Sequence, residues 1–179
     1  MKKLLIFVLI FLSTFGCKAE VQKELKHSFG IYLIKEGKFT EVGKDPYYLK
    51  SIKVDLHKAE LLKKPIISDK DIVEYDWENH TLTVNAEAVA RIPQPSSFGI
   101  PFVVVADGNR CYVGGFWTMV SSVGCLHPII EVNDAKDGTF RIRAGYPRDV
   151  NLLKENDPRF DERIKKSLKG LGKLKANKK

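Results

Sequence analysis

The sequence predicts a single α+β domain, mainly antiparallel sheet with one or two short helices, followed by a C-terminal amphipathic helix and tail. Three observations carry that prediction. The stretch 101–114 sets Asp107-Gly108 between two runs rich in β-branched and aromatic residues, and Asp-Gly supplies the positive φ angles of a hairpin turn whose twist matches its strands. The runs 129–132 and 139–143 flank a second Asp-Gly, Asp137-Gly138, and predict another hairpin. Between strand patterns, Asn85 precedes an Ala- and Glu-rich stretch, 86–92, that Pro93 and Pro95 close, which is the signature of a capped short helix.

Residues 1–17 form an export signal. Lys2 and Lys3 give a positive start, and residues 4–12 are an unbroken apolar run. Nine helical residues rise about 13.5 Å, too short for a hydrocarbon core of about 30 Å, so the run reads as a signal rather than a membrane span. Residues 18–26 are polar and lysine-rich, suited to a tether. The domain follows at 27–149, and 150–179 is read as a helix with a lysine-rich tail.

Within the domain, 29–34 is a strand, Glu36-Gly37 a turn and 39–42 a return strand. Asp45-Pro46 breaks the chain. Residues 51–56 alternate, with Ile52, Val54 and Leu56 on one side, as in a half-buried strand. Ser68, with Asp71 three residues on, predicts the cap of a short helix. Residues 73–77 and 81–84 predict a hairpin across Glu78-Asn79-His80. Asp157-Pro158 marks a helix start, and Phe160, Ile164, Leu168 and Leu171 recur at helical spacing.

The charge separates by region. The chain of 179 residues has a net charge of +8, but 18–164 holds 21 basic and 22 acidic residues, while 165–179 holds seven lysines and no acid. A nucleic-acid-binding domain carries its Lys and Arg on the folded face, so nucleic acid is not an expected partner. The tail is expected to be solvated and helical, or drawn to anionic lipid or cell wall.

Thr14-Phe15-Gly16-Cys17 resembles the lipobox of bacterial lipoproteins, in which a small residue precedes the Cys that carries diacylglycerol. Gly16 and Cys17 match that pattern; Thr14 and Phe15 depart from it. The resemblance implies lipidation at Cys17 and anchoring on the extracytoplasmic side of a bacterial membrane. Lys18 resembles the non-Asp residue that permits outer-membrane sorting where the host has two membranes. Ordinary cleavage after Ala19, giving a soluble periplasmic or secreted protein, is the competing expectation. A second resemblance lies in the body. Residues 64–72 (Lys-Pro-Ile-Ile-Ser-Asp-Lys-Asp-Ile), 81–91 (Thr-Leu-Thr-Val-Asn-Ala-Glu-Ala-Val-Ala-Arg) and 102–108 (Phe-Val-Val-Val-Ala-Asp-Gly) resemble, in order, the head subdomain of the first periplasmic domain of SecD/SecDF protein-export proteins. It covers about a third of the chain and implies an α+β module in contact with emerging polypeptide. It brings no catalytic residues, and fold analogy alone does not transfer function.

With Cys17 assigned to lipid, Cys111 and Cys125 are expected to form a disulfide in an oxidising compartment, since Gly114, Gly115 and Gly124 let the intervening chain turn back. The alternative is a Cys125 nucleophile with His127 as base. A metal set from Cys111, Cys125, His127 and His80 has none of the usual spacings, and neither metal nor cofactor is expected. Asp69/Asp71 and Asp134/Asp137 sit in cap and turn contexts; Ser121-Ser122 lacks an elbow frame, and Gly114-Gly115 lacks a phosphate-loop context. Tyr75, Trp77, Phe116 and Trp117, with Phe98 and Tyr112 nearby, are the aromatic candidates for a peptide or glycan platform if exposed, or for cross-strand core pairs if not. The stretch 114–119 is the candidate ligand-facing loop. The expected function is binding of a protein or envelope component by an exported, non-enzymatic module; the alternatives are an envelope hydrolase whose site is not readable from the sequence and a small-ligand-binding protein.

Overall fold

The structure, a computed structural model, describes residues 26–35, 37–41, 50–52, 54–133, 137–147 and 156–176. The expectations placed on the signal, on Cys17, on the tether as far as residue 25, on Glu36, on Val42, on Asp45-Pro46, on Asp134 and on the last three residues lie outside them.

The Asp-Gly hairpin is the spine of the fold. Strands β7 (Ile100–Ala106) and β8 (Asn109–Trp117) pair antiparallel, with Asp107 at φ 49° and Gly108 at φ 76° in the turn. β7 also pairs with β1 (Phe29–Leu33), whose other side carries the two-residue β4 (Ile67–Ser68). Both edges of β1 are therefore taken. This corrects the expected return strand: β2 (Phe39–Glu41) pairs with β3 (Lys50–Ile52) in a separate ribbon. On the far side of β8 lies β9 (Ile129–Glu131), in parallel, then β10 (Thr139–Arg143), β6 (Thr81–Val84) and β5 (Ile72–Asp76), each antiparallel to its neighbour. The eight strands run β4-β1-β7-β8-β9-β10-β6-β5. The outermost two, β4 and β5, are joined by residues 69–71 alone, so the sheet curls into a near-barrel.

Ser68 does not open a helix. Its N–H and Oγ both reach Asp71 Oδ2, at 2.7 Å each; the side-chain contact of a capping box forms, but the chain enters a turn and then β5. Asn85 does cap a helix, α1 (Ala86–Arg91), accepting from Ala88 N–H at 2.8 Å. Asp157 starts a single 3₁₀ turn, Pro158–Phe160, and Asp161 starts again as the cap of α2 (Glu162–Gly170).

The curl of the sheet encloses the main core. Ile31, Phe102, Tyr112, Phe116, Ile130, Phe140 and Leu82 meet there with Ala88 of α1 and Ile164 and Leu168 of α2. The outer face is covered as well. Val103 and Val113 pack under the 54–61 segment with Ile34 and Ala59, and the expected apolar side of the third strand, Ile52, Val54 and Leu56, joins them. Trp117, Cys125 and Ile129 form a further cluster, reached by Phe39, Val123 and Tyr146.

Beyond α2 the chain does not run off into solvent within the described residues. Leu174 bridges Tyr75 in parallel, with Tyr75 N–H donating to Lys173 O at 2.7 Å and Lys175 N–H to Tyr75 O at 2.9 Å. Lys173 Nζ donates to Ile72 O, and Lys175 Nζ pairs with Asp76 at 3.1 Å. This short strap covers the outer edge of β5, an edge that would otherwise template another strand.

Candidate functional site

The aromatic platform is overturned. Tyr75, Trp77, Phe116 and Trp117 are 2%, 9%, 0% and 0% exposed. β8 is covered on both faces, so Phe116 enters the main core beside Phe102, ring centroids 5.0 Å apart, while the adjacent Trp117 enters the outer cluster against Phe39, 5.6 Å away and edge-on. Residues 114–117 are thus strand rather than a ligand-facing loop, and Gly115 is the seat of the Phe39 ring.

The disulfide is likewise corrected. Cys111 and Cys125 are both free and buried. The pairing Val104–Tyr112 followed by Val105–Arg110 leaves Cys111 as the extra residue of a bulge, and it turns into the main core. Cys125 packs with Trp117 in the outer cluster. The sheet lies between the two thiols, and burial pushes the Cys111 thiol up to about 11 and the Cys125 thiol up to about 12.

A Cys125–His127 dyad does not form either. The Cys125 thiol points to the backbone carbonyl of residue 127, 3.8 Å away. His127 Nε2 accepts the Ile52 N–H at 2.9 Å, which ties the β2–β3 ribbon to the barrel. Burial lowers the His127 pKa, and the accepted hydrogen bond requires its unprotonated form. His80, the other metal candidate, meets Tyr75 Oη through Nδ1 at 3.2 Å and lies edge-on to Phe160, ring centroids 4.4 Å apart. Among the described residues no three His, Cys, Asp or Glu side chains could hold a metal ion together. Ser121 Oγ donates to Ser97 O at 2.7 Å and accepts from Val123 N–H, a loop tie rather than a nucleophile. Asp137 is a turn residue, at φ 51°.

Two features escape the sequence reading. One is a buried ion pair, Arg143 Nε to Glu131 Oε2 at 2.6 Å, with the Glu131 side chain fully buried. The pairing of Ile129 with Arg143 puts Glu131, two residues further along β9, on the same outer face.

The other is a trough beside β4, where the end of β1 meets α1. Its larger part, about 730 Å³, lies between the 62–71 segment and α1. Its floor is apolar, from Leu33, Leu62, Pro65 and Ile66, and its rim carries Lys64, Lys70 and Arg91. Leu62, 43% exposed, also lines a neighbouring hollow of about 510 Å³ with Lys35, Lys58, Lys63 and Arg110. Across both, seven cations stand against three carboxylates, Glu60, Asp71 and Glu87. Two of the three are engaged: Glu60 by Lys35 at 3.2 Å and Asp71 by Arg91 at 2.8 Å. Burial pushes the Asp71 carboxyl up, but hydrogen bonds from Arg91 and Ser68 outweigh it and leave the pKa below the ordinary value. The outer edge of β4 is closed by the same groups: Asp71 takes the Ser68 N–H, and the Arg91 guanidinium reaches Ile66 O at 3.4 Å. A guest in the trough meets side chains rather than an open strand edge. The signal for this site was the density of lysines at 58, 63, 64 and 70, visible in the sequence but hidden by a neutral total.

No family model, no curated protein and no solved structure matches the chain. The likeness to the SecD head therefore rests on the residues quoted for it.

Proposed function

We propose that this chain is an exported, lipid-anchored envelope protein that works by binding. Cys17 carries the lipid and holds the domain on the extracytoplasmic side of a bacterial membrane, the outer membrane where the host has two. The domain is a binding module rather than an enzyme, and its guest is an extended segment of polypeptide lying in the trough. The observation that carries this reading is the trough itself: an apolar floor under a cationic rim, with Leu62 exposed at its centre. An apolar floor suits side chains of a polypeptide, whereas a phosphate polymer needs only the cations. A concave trough also suits a chain better than a bilayer, which takes a protruding apolar face. The segment that resembles the SecD family, 64–72, supplies one wall, in keeping with contact to emerging polypeptide.

Reversing the rim tests the reading. The full chain carrying Lys64→Glu and Lys70→Glu is expected to recover at least tenfold less polypeptide than wild type in a crosslinking pull-down from the native envelope. Both lysines are exposed, so the fold should be unaffected, and circular dichroism checks this. Equal recovery by the two proteins would overturn the reading.

A further inference from the structure

The point where the tether leaves the domain is fixed by four contacts. His27 Nδ1 lies 2.9 Å from Asp107 Oδ2. Ser28 N–H donates to Asp107 Oδ1 at 2.9 Å, and Asp107 N–H returns a bond to Ser28 O at 2.8 Å. Ser167 of α2 donates from Oγ to the same Ser28 carbonyl at 2.7 Å. The His27 ring packs against Gly170, where a Cβ would overlap it. Residues 27 and 28, the start of the domain, therefore lie beside the C-terminal turn of α2.

That end of α2 is its cationic end. The acids, Asp161 and Glu162, stand at its start. Lys165, Lys166 and Lys169 follow, and Lys26 is exposed at the root of the tether. Lys165 is drawn over the Trp77 ring, 5.4 Å from its centroid, and lies 3.9 Å from Glu162. Lys166 and Lys169 are exposed on the outer side of the helix, opposite the buried Ile164, Ser167 and Leu168. Asp107 is engaged by His27, and Asp76 by Lys175.

Ten residue steps separate Cys17 from His27. A chain of that length reaches at most about 35 Å. From these observations we infer that the outer face of α2, through Lys166 and Lys169, docks on anionic phospholipid headgroups of the membrane that holds the anchor. The inference rests on the lipid-anchor reading and adds an orientation to it. The short tether keeps the domain within that reach of the surface, and each lysine brought into a field that decays over about 10 Å strengthens association about fivefold. The domain is thereby held with α2 down.

The test uses the full lipidated chain, purified from the envelope and reconstituted in vesicles of phosphatidylcholine alone or with 30% phosphatidylglycerol. Amine acetylation read by mass spectrometry should show Lys166 and Lys169 at least fivefold less reactive in the anionic vesicles, with Lys58 and Lys63 of the trough unchanged. Lys166→Glu/Lys169→Glu should remove any protection of the neighbouring Lys26. Equal reactivity of Lys166 and Lys169 in the two vesicles would overturn the docking and leave the anchor standing. An N-terminal peptide without the diacylglycerol mass would overturn the anchor, and the docking with it.

Discussion

His127 couples the separate β2–β3 ribbon to the barrel through one nitrogen. Its Nε2 takes the Ile52 N–H, and its ring lies 6.2 Å from Phe39, so both strands of the β2–β3 ribbon touch it. Burial holds its pKa below 6.5 in the fold. As the pH falls through 6.5 the unfolded chain takes up a proton that the folded chain resists, so stability is lost between 6.5 and the lowered folded value and then levels off. The midpoint of urea unfolding should therefore be lower at pH 5 than at pH 7.5. His127→Gln, which keeps an acceptor and removes the titration, should shrink that difference; an undiminished difference would contradict the assignment. Its neighbour Cys125 was open to a catalytic reading in the sequence because spacing does not reveal which atom a ring nitrogen faces.

At the scale of elements, what was legible was local. Asp107-Gly108 forms its hairpin, Asn85 caps α1, and the pattern across 78–80 is the β5–β6 hairpin. Ser68 and Asp71 made the expected contact but in a turn, because one capping contact does not choose between a helix and the start of a strand. Pairing between distant strands was not legible: nothing near Phe39 says that both edges of β1 are already taken by β4 and β7. The aromatics stayed open between core and surface for a related reason. A strand buried on both faces loses its alternation, so only the outer cluster, which is built from distant parts of the chain, distinguishes Phe116 and Trp117 from a surface pair. The stripe of α2 illustrates the energetic side: Ile164 and Leu168 seal the end of the main core, at 2% and 0% exposed. Leu168→Ala should cost about 2–5 kcal/mol in urea unfolding, while Lys166→Ala on the outer side should stay within about 0.5 kcal/mol. Equal effects would mean that α2 is not docked on the core.

For the whole molecule, the net charge of +8 proves to be a poor guide to any one surface. Residues 18–164 are nearly neutral in sum, yet the domain concentrates cations around the trough and at the end of α2 where the tether departs. The candidate site was visible in the sequence only as scattered lysines, since what makes it a site is the curl of the sheet, which brings residues 33–35, 58–71, 85–91 and 110 to one side. The main core is thus closed by α2, the outer edge of β5 is covered by the strap, and the trough beside β4 and α1 remains open to a guest. The most direct measurement of that claim is site-resolved photocrosslinking in the living envelope, with a photoreactive residue at position 62 of the full chain and, as control, at the exposed position 126. Discrete polypeptide adducts are expected from position 62 and should vanish with Lys64→Glu/Lys70→Glu. No adduct at 62, or the same adducts from both positions, would contradict it.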